Sequence, residues 1–267
     1  MHIGVTIFAT DYSIAMDELA IELEDRGFES LFVPEHTHIP TNRESPWPGG
    51  ADLPKEYWHT YDPFVSLSFA AAQTKKIKIG TGICLLPERD TIVTAKLVAS
   101  LDHMSGGRFI FGIGGGWNKE EMAHHGTTYN KRFARMGEQI NAMKALWTED
   151  EAEYHGEHVD FSPSWAYPKP AQAPHPPILL GGETDYTLQR VVDYCDGWLP
   201  RARHGFDAAE NMKRLKTFAD NAGRDMASLS VSVFGAPADR DTLAGFEEAG
   251  IHRILIPLPS TTRDKIL

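Results

Sequence analysis

The residues best placed to do chemistry follow a short apolar run, Ser30-Leu31-Phe32-Val33, in the sequence Pro34-Glu35-His36-Thr37-His38. This is the clearest cluster of titratable side chains at the end of a strand-like segment. A histidine in such a place exchanges protons near neutral pH or hydrogen-bonds a carbonyl oxygen. His36 is therefore the candidate catalytic residue, and His38 reads as a loop residue. The His36-x-His38 spacing also suits a metal, but a metal site needs further ligands from later strand ends. Those ends read Gly-Gly, Leu-Pro, Phe-Gly and Pro-Leu-Pro, so no metal is expected.

Three glycine-bearing stretches form a second set of candidates: Gly80-Thr81-Gly82-Ile83, Gly114-Gly115-Gly116-Trp117-Asn118 and Gly181-Gly182-Glu183-Thr184. Each closes an apolar run. Missing side chains let backbone approach a flat ring or a phosphate, although such glycines also serve tight turns. The third stretch opens a helix, whose free N–H groups and dipole suit an anion. Glu183 is awkward there unless its side chain turns away, and a carboxylate capping that helix is the structural alternative. Gly112-Ile113-Gly114-Gly115-Gly116-Trp117 departs from a dinucleotide fingerprint at its sixth position. Trp47, Trp58 and Trp117 suit either an aromatic pocket or loop packing, and His124-His125 reads as solvated surface.

The elements that must position these residues alternate. Lys76–Glu121 reads as strand, helix, strand. Ile77, Ile79, Ile83, Leu85 and Leu86 suggest a buried strand. Asp90 or Thr91 caps a helix with an apolar face of Val93, Leu97, Val98, Leu101 and Met104, and Ser105-Gly106-Gly107 ends it. Strands are also expected at 2–8, 30–34, 177–182, 197–200, 229–234 and 253–257, with helices between them. Residues 35–61 form a long loop, and loops of that length inside a domain are usually functional. Residues 149–177 form a proline-rich excursion with a short hairpin at 154–161, too poor in apolar residues for a core of its own. The prediction is one domain over 1–267: an α/β, (β/α)8 TIM barrel with its site on the loops after the strands. Its eighth helix is expected to be reduced, because the chain stops at Leu267.

Composition agrees with such a fold. Hydrophobic residues make up 42% and charged residues 24%, ordinary for a globular protein. A formal net charge of -11 opposes nucleic-acid binding, which needs a basic face. Cys84 and Cys195 lie in core-like segments and read as buried free thiols. No apolar run reaches membrane-spanning length, and Met1–Val5 reads as a strand and not a signal peptide. A cytoplasmic protein with no membrane partner is expected.

Taken together, SLFVPEHTHIP, KIKIGTGICLLPERDTIVTAKLVASLDHMSGGRFIFGIGGGWNKEEM, KALWTEDEAEYHGEHVDF and PKPAQAPHPPILLGG followed by DGWLP resemble the bacterial luciferase-like monooxygenase superfamily, and within it the deazaflavin-dependent oxidoreductases. The resemblance covers nearly the whole chain. It implies a luciferase-like barrel holding coenzyme F420, a deazaflavin, or alternatively FMN, at its C-terminal face. It places Gly82 and Ile83, at a third-strand bulge often carrying a non-proline cis peptide, behind the tricyclic ring. It assigns Gly114, Gly115, Gly116, Trp117, Asn118, Gly181, Gly182, Glu183 and Thr184 to the rest of the cofactor, and matches His36 to a histidine of some deazaflavin dehydrogenases. The implied activity is hydride transfer between coenzyme F420 and a small organic substrate. The alternatives are an FMN-dependent monooxygenase, supplied by a flavin or deazaflavin reductase, and a non-catalytic flavin-binding barrel. Coenzyme F420 is preferred because that branch is the nearer resemblance and because Gly114–Gly116 brings no arginine for an FMN phosphate. The resemblance also implies a homodimer. Its physical support is that a reduced eighth helix leaves apolar surface near Ile254 and Ile256 to be covered.

Overall fold

The computed structural model describes residues 1–50, 52–203 and 205–267. Ten strands occur among them: β1 His2–Thr6, β2 Ser30–Val33, β3 Lys78–Thr81, β4 Phe109–Ile113, β5 Ala152–His155, β6 Asp160–Ser164, β7 Ile178–Gly181, β8 Gly197–Leu199, β9 Ser230–Phe234 and β10 Arg253–Pro257. Eight of them close a parallel barrel in the order β1-β2-β3-β4-β7-β8-β9-β10, with β10 returning to β1. The remaining two, β5 and β6, pair antiparallel as a separate hairpin. This is the hairpin expected in the excursion, and it leaves the alternation of strand and helix intact on either side.

Helices fill the connections: α1 Met16–Asp25, α2 Glu56–His59, α3 Pro63–Gln73, α4 Thr91–Ser105, α5 Lys119–His124, α6 Arg132–Thr148, α7 Asp185–Tyr194, α8 Ala208–Asn221, α9 Arg240–Glu248 and α10 Arg263–Ile266. Short polar side chains start them where the sequence offers them. Asp62 accepts from Val65 N–H, Asp90 from Val93 N–H and Thr184 from Thr187 N–H, each satisfying an amide that the helix leaves open. Gly106, at φ +71°, ends α4. The eighth helix is the single turn α10.

The apolar interior has two parts. Phe32, Ile110, Leu179, Leu199 and Leu255 fill the barrel itself, with Ile83 and Phe234 packed against them. A larger cluster, including Leu31, Val98, Phe111, Ile140 and Trp198, lies between strands and helices. Cys84 and Cys195 are both buried and free.

Three sequence-based expectations are corrected. The third strand ends at Thr81 instead of reaching Leu86: the backbone turns at Gly82, Cys84 pairs across to Gly112 and Gly114, and Leu86–Glu88 forms a 3-10 turn. Val93 and Met104 do not face the core. The buried stripe of α4 is Thr91, Thr94, Ala95, Val98, Ala99, Leu101, Asp102 and Ser105, mostly small side chains that let the helix lie close to the barrel. Finally, Ile254 is fully buried and Ile256 partly so, because β10 is paired on both sides. The exposed apolar surface lies elsewhere, at Val65 and Phe69 on α3 and Ile92 and Val93 on α4.

One tight approach in this wall is testable. A Cβ on Gly112 would lie 2.0 Å from the carbonyl oxygen of Thr81, a backbone atom of the paired strand that cannot step aside. Gly112→Ala is expected to destabilise the fold by about 3 kcal/mol, roughly 6–12 °C in Tm. Thermal unfolding followed by circular dichroism checks this, and an unchanged Tm would contradict the packing described here.

Candidate active site

A cavity of about 610 Å³ opens at the C-terminal ends of the strands. His36 reaches it from the end of β2. Gly82 and Ile83 contribute from β3, Gly115, Gly116 and Trp117 from β4, and Gly181, Gly182, Glu183 and Thr184 from β7. Segments far apart in sequence thus meet on one wall. Gly114 and Asn118 do not line it. A Cβ on Gly114 would fall 1.9 Å from Cδ1 of Ile83 and one on Gly181 would fall 3.1 Å from its Cγ2, so both glycines make room for that side chain. Asn118 is the N-cap of α5 and accepts from the amides of Glu120 and Glu121, each at 3.1 Å.

The Gly82–Ile83 peptide is cis, at the position the resemblance indicated. A Cβ on Gly82 would meet the rings of Phe234 at 3.2 Å and Phe32 at 3.4 Å. Its missing side chain therefore accommodates the rings of the barrel interior, and the backbone remains as cavity wall.

His36 is buried, and its Nδ1 lies 2.7 Å from Oε2 of Glu121. With Nδ1–H donating to that carboxylate, Nε2 is the ring nitrogen left for the cavity, a tautomer set by the acceptor. Tyr57, carried by α2, packs 5.2 Å from the imidazole, and Trp117 packs edge-on at 5.8 Å. Tyr57 in turn contacts Phe8 at 4.7 Å. The histidine is thus held by a hydrogen bond on one edge and aromatic rings around it. Trp47 packs against Tyr57 in the loop, whereas Trp58 is half exposed.

Glu35 does not join His36 in this pairing. Its carboxylate accepts from Leu85 N–H at 2.8 Å and from Nε of Arg89 at 2.7 Å, while Arg89 also holds Asp62. Its role is to fix the turn after β3 against the end of β2. Glu88, on that turn, has both carboxyl oxygens buried with no hydrogen-bond partner among the described residues. Burial pushes it up to about 9, with Glu121 and Glu35 adding to the effect and Arg89 opposing it. It is the neutral member of a crowded set of acids.

At the other end of the cavity the wall is cationic. Arg132, Arg190, Arg201 and Arg203 all line it, so the cavity has arginines although Gly114–Gly116 brings none. The guanidinium groups come from α6, α7 and the segment after β8. Arg201 donates to both oxygens of Glu183, at 2.8 and 2.7 Å. Burial raises the Glu183 carboxyl, but Arg201 holds it below its usual range. Arg190 lies 4.1 Å from the centroid of Phe133, and Arg132 lies 4.3 Å from it on the same ring. The Nε of Arg132 is buried and has no hydrogen-bond partner among the described residues. An orphaned guanidinium nitrogen, the glycine-lined wall and the N-terminus of α7 together fit a flat cofactor with an anionic arm.

The sequence profile of the family described as luciferase-like monooxygenase matches residues 13–261. The chain belongs to that family. Family members are oxidoreductases or monooxygenases. A Mycobacterium tuberculosis relative, Uncharacterized protein Rv0953c, is 40% identical over 99% of this chain and 94% of its own length. The FMNH(2)-dependent dimethylsulfone monooxygenase of Pseudomonas putida is 35% identical over 45% of this chain and 34% of its own length. The structure of coenzyme F420 dependent tetrahydromethanopterin reductase from Methanopyrus kandleri superposes with a TM-score of 0.74, covering 99% of this chain and 95% of that one at 18% identity. It shares the luciferase-like barrel fold. Flavin-type cofactors therefore occur among the neighbours in both forms.

Sequence reasoning missed Glu121 and the four arginines. The helix α5 that carries Glu121 was missed as well; Asn118-x-x-Glu121 has the spacing of a helix-capping pair, a local signal that could have found the start of α5 but not the long-range contact. The acidic cluster yields a pH prediction. The folded-state pKa of Glu88, about 9, stands above the ordinary carboxyl value of 4.5. The native state therefore binds a proton more tightly, and its stabilising effect is complete below pH 4.5 and is lost as pH rises through 9. Denaturant unfolding should show the parent losing stability between pH 5 and 9, and Glu88→Gln should flatten that slope. Equal slopes in the two proteins would exclude a buried neutral Glu88.

Proposed function

We propose that this protein transfers hydride between coenzyme F420 and a small organic substrate, with His36 handling the proton that accompanies the hydride. The observation that carries the reading is His36 itself, buried beside the cavity with Nδ1 fixed on Glu121 and Nε2 left for a reacting group. When bound, the deazaflavin supplies the hydride acceptor or donor. Gly82–Ile83, Gly115–Gly116 and Gly181–Gly182 would lie along its ring and chain, and Arg132, Arg190 and Arg203 would hold its anionic arm. Arg201 keeps Glu183 turned away from that anion. Tyr57, Trp117 and Phe8 exclude water from the face where substrate meets His36, and the loop over residues 35–61 selects the substrate.

The Pseudomonas putida relative supports a second reading, an FMN-dependent monooxygenase receiving reduced flavin from a reductase. Mass spectrometry of the ligand that co-purifies from a deazaflavin-producing host separates the two. Coenzyme F420 is the expected ligand, and FMN alone would favour the second reading. With the cofactor so identified, His36→Asn is expected to lower kcat about a hundredfold or more with cofactor affinity barely changed. A normal kcat with weakened cofactor binding would move His36 from catalysis to cofactor holding.

A second copy of this chain is proposed to cover Val65 and Phe69 of α3 and Ile92 and Val93 of α4, since neighbouring exposed apolar side chains mark association surfaces. Sedimentation should show a dimer at micromolar concentration, and Phe69→Lys combined with Val93→Lys should give a monomer. A monomeric parent would exclude this interface.

A further inference from the structure

The chain of hydrogen bonds does not stop at Glu121. Its side chain is completely buried, yet its second oxygen, Oε1, accepts from Thr37 N–H at 3.0 Å and lies 3.5 Å from Thr37 Oγ. That hydroxyl lies 2.7 Å from Nε2 of His125 and 2.9 Å from Nδ1 of His38. His38 continues through Nε2 to Nδ1 of His124 at 2.8 Å, with the two rings stacked 5.1 Å apart. Thr37, His124 and His125 are exposed. An unbroken polar path therefore runs from the cavity-side histidine, through a carboxylate with no solvent contact of its own, to three histidines at the surface.

We infer that Glu121, Thr37 and His125 form a proton conduit joining Nδ1 of His36 to solvent. The inference rests on the reading of His36 as the proton-handling group. Once substrate and cofactor fill the cavity, water is excluded there, and a proton taken up at Nε2 has no exit on that side. The back of the ring provides one. When Nε2 of His36 gains a proton from substrate, the Nδ1 proton passes to Oε2 of Glu121. Glu121 is then a neutral acid, and rotation of its carboxyl group carries that proton to the Thr37 side. There it passes to the Thr37 oxygen as the hydroxyl proton of Thr37 moves to Nε2 of His125, and His125 releases its Nδ1 proton to water. One proton enters and one leaves, and no electrons move along the path. For reduction of substrate the same sequence runs inward.

The surroundings suit this role. Burial and His38 hold His125 below the ordinary histidine value, against the opposing pull of Glu121 and Glu35, so a proton that reaches it is given up readily. Glu88 Oε2 lies 4.0 Å from the same nitrogen. The groups facing the path are thus His36, His38, His124, Glu35, Glu88 and Arg89. Glu121 and Thr37 act through His36 and are positioning residues.

The test uses the cofactor-free protein, so its outcome is separate from that of the hydride-transfer reading. In protein labelled with nitrogen-15 at histidine, the solvent exchange rate of the His36 Nδ1 proton is measured by nuclear magnetic resonance at pH 7. Thr37→Val is expected to slow that exchange at least tenfold, and Thr37→Ser to restore it. His125→Gln, which leaves the Thr37 hydroxyl in place, should slow it as well. Exchange as fast as the parent in both Thr37→Val and His125→Gln overturns the conduit, as does slow exchange in Thr37→Ser. Should Thr37→Val fail to fold, His125→Gln alone decides. A chain that passes this test and shows no turnover with coenzyme F420 or FMN would keep the conduit and lose the proposed activity.

Discussion

The arrangement depends on keeping a carboxylate completely out of water. Glu121 has no exposed surface, and a buried acid is tolerated only when its oxygens are hydrogen-bonded. Two donors close on it, the imidazole of His36 and the amide of Thr37, and the Thr37 hydroxyl lies 3.5 Å away. All come from the segment that follows β2, whereas Glu121 sits in the first turn of α5 after β4. The acid therefore draws together two strand ends and fixes one tautomer of the histidine between them. Its acidic neighbours are dealt with separately, Glu35 by Arg89 and Glu88 by remaining neutral.

A second constraint acts on the opposite wall. Ile83 sits between Gly114 and Gly181: a Cβ on the first would collide with it at 1.9 Å, and one on the second would press on it at 3.1 Å. The bulge after β3 is thereby locked against β4 and β7, and a smooth surface results where three strand ends meet. Flatness here comes from packing a large side chain into space that two glycines leave free. The cationic rim is assembled differently, from helices and a loop whose arginines converge only after the barrel closes.

How much of this was legible in the sequence follows from the range of each interaction. Strand and helix alternation is local, and so is the Asp90 cap of α4, and periodicity and residue type were enough to find them; the cap of α7 falls to Thr184 and not to the neighbouring carboxylate. His36 was visible because it directly follows a strand. Its partner was not, because Glu121 lies 85 positions away, in a segment whose histidines, His124 and His125, read as solvated surface. The arginines were hidden for the same reason: Arg132, Arg190, Arg201 and Arg203 share no motif. The face of α4 was misread because the helix buries threonine, alanine and serine against the barrel, leaving Val93 and Met104 outside. A rule that equates apolar with inward fails when close approach selects for small size.

Beyond His38, the described part of the loop that ends at Tyr61 is fastened at separate points, among them His59 on Asp11. Ser45 exchanges hydrogen bonds with the start of α5 through Glu120 and Lys119, and Thr60 and Tyr61 pair with Thr10 and Ala9. Between these anchors its contacts with the cavity run chiefly through Tyr57. Such a segment behaves as an exchangeable cassette. A change of sequence between the anchors leaves the barrel and the histidine beneath it in place.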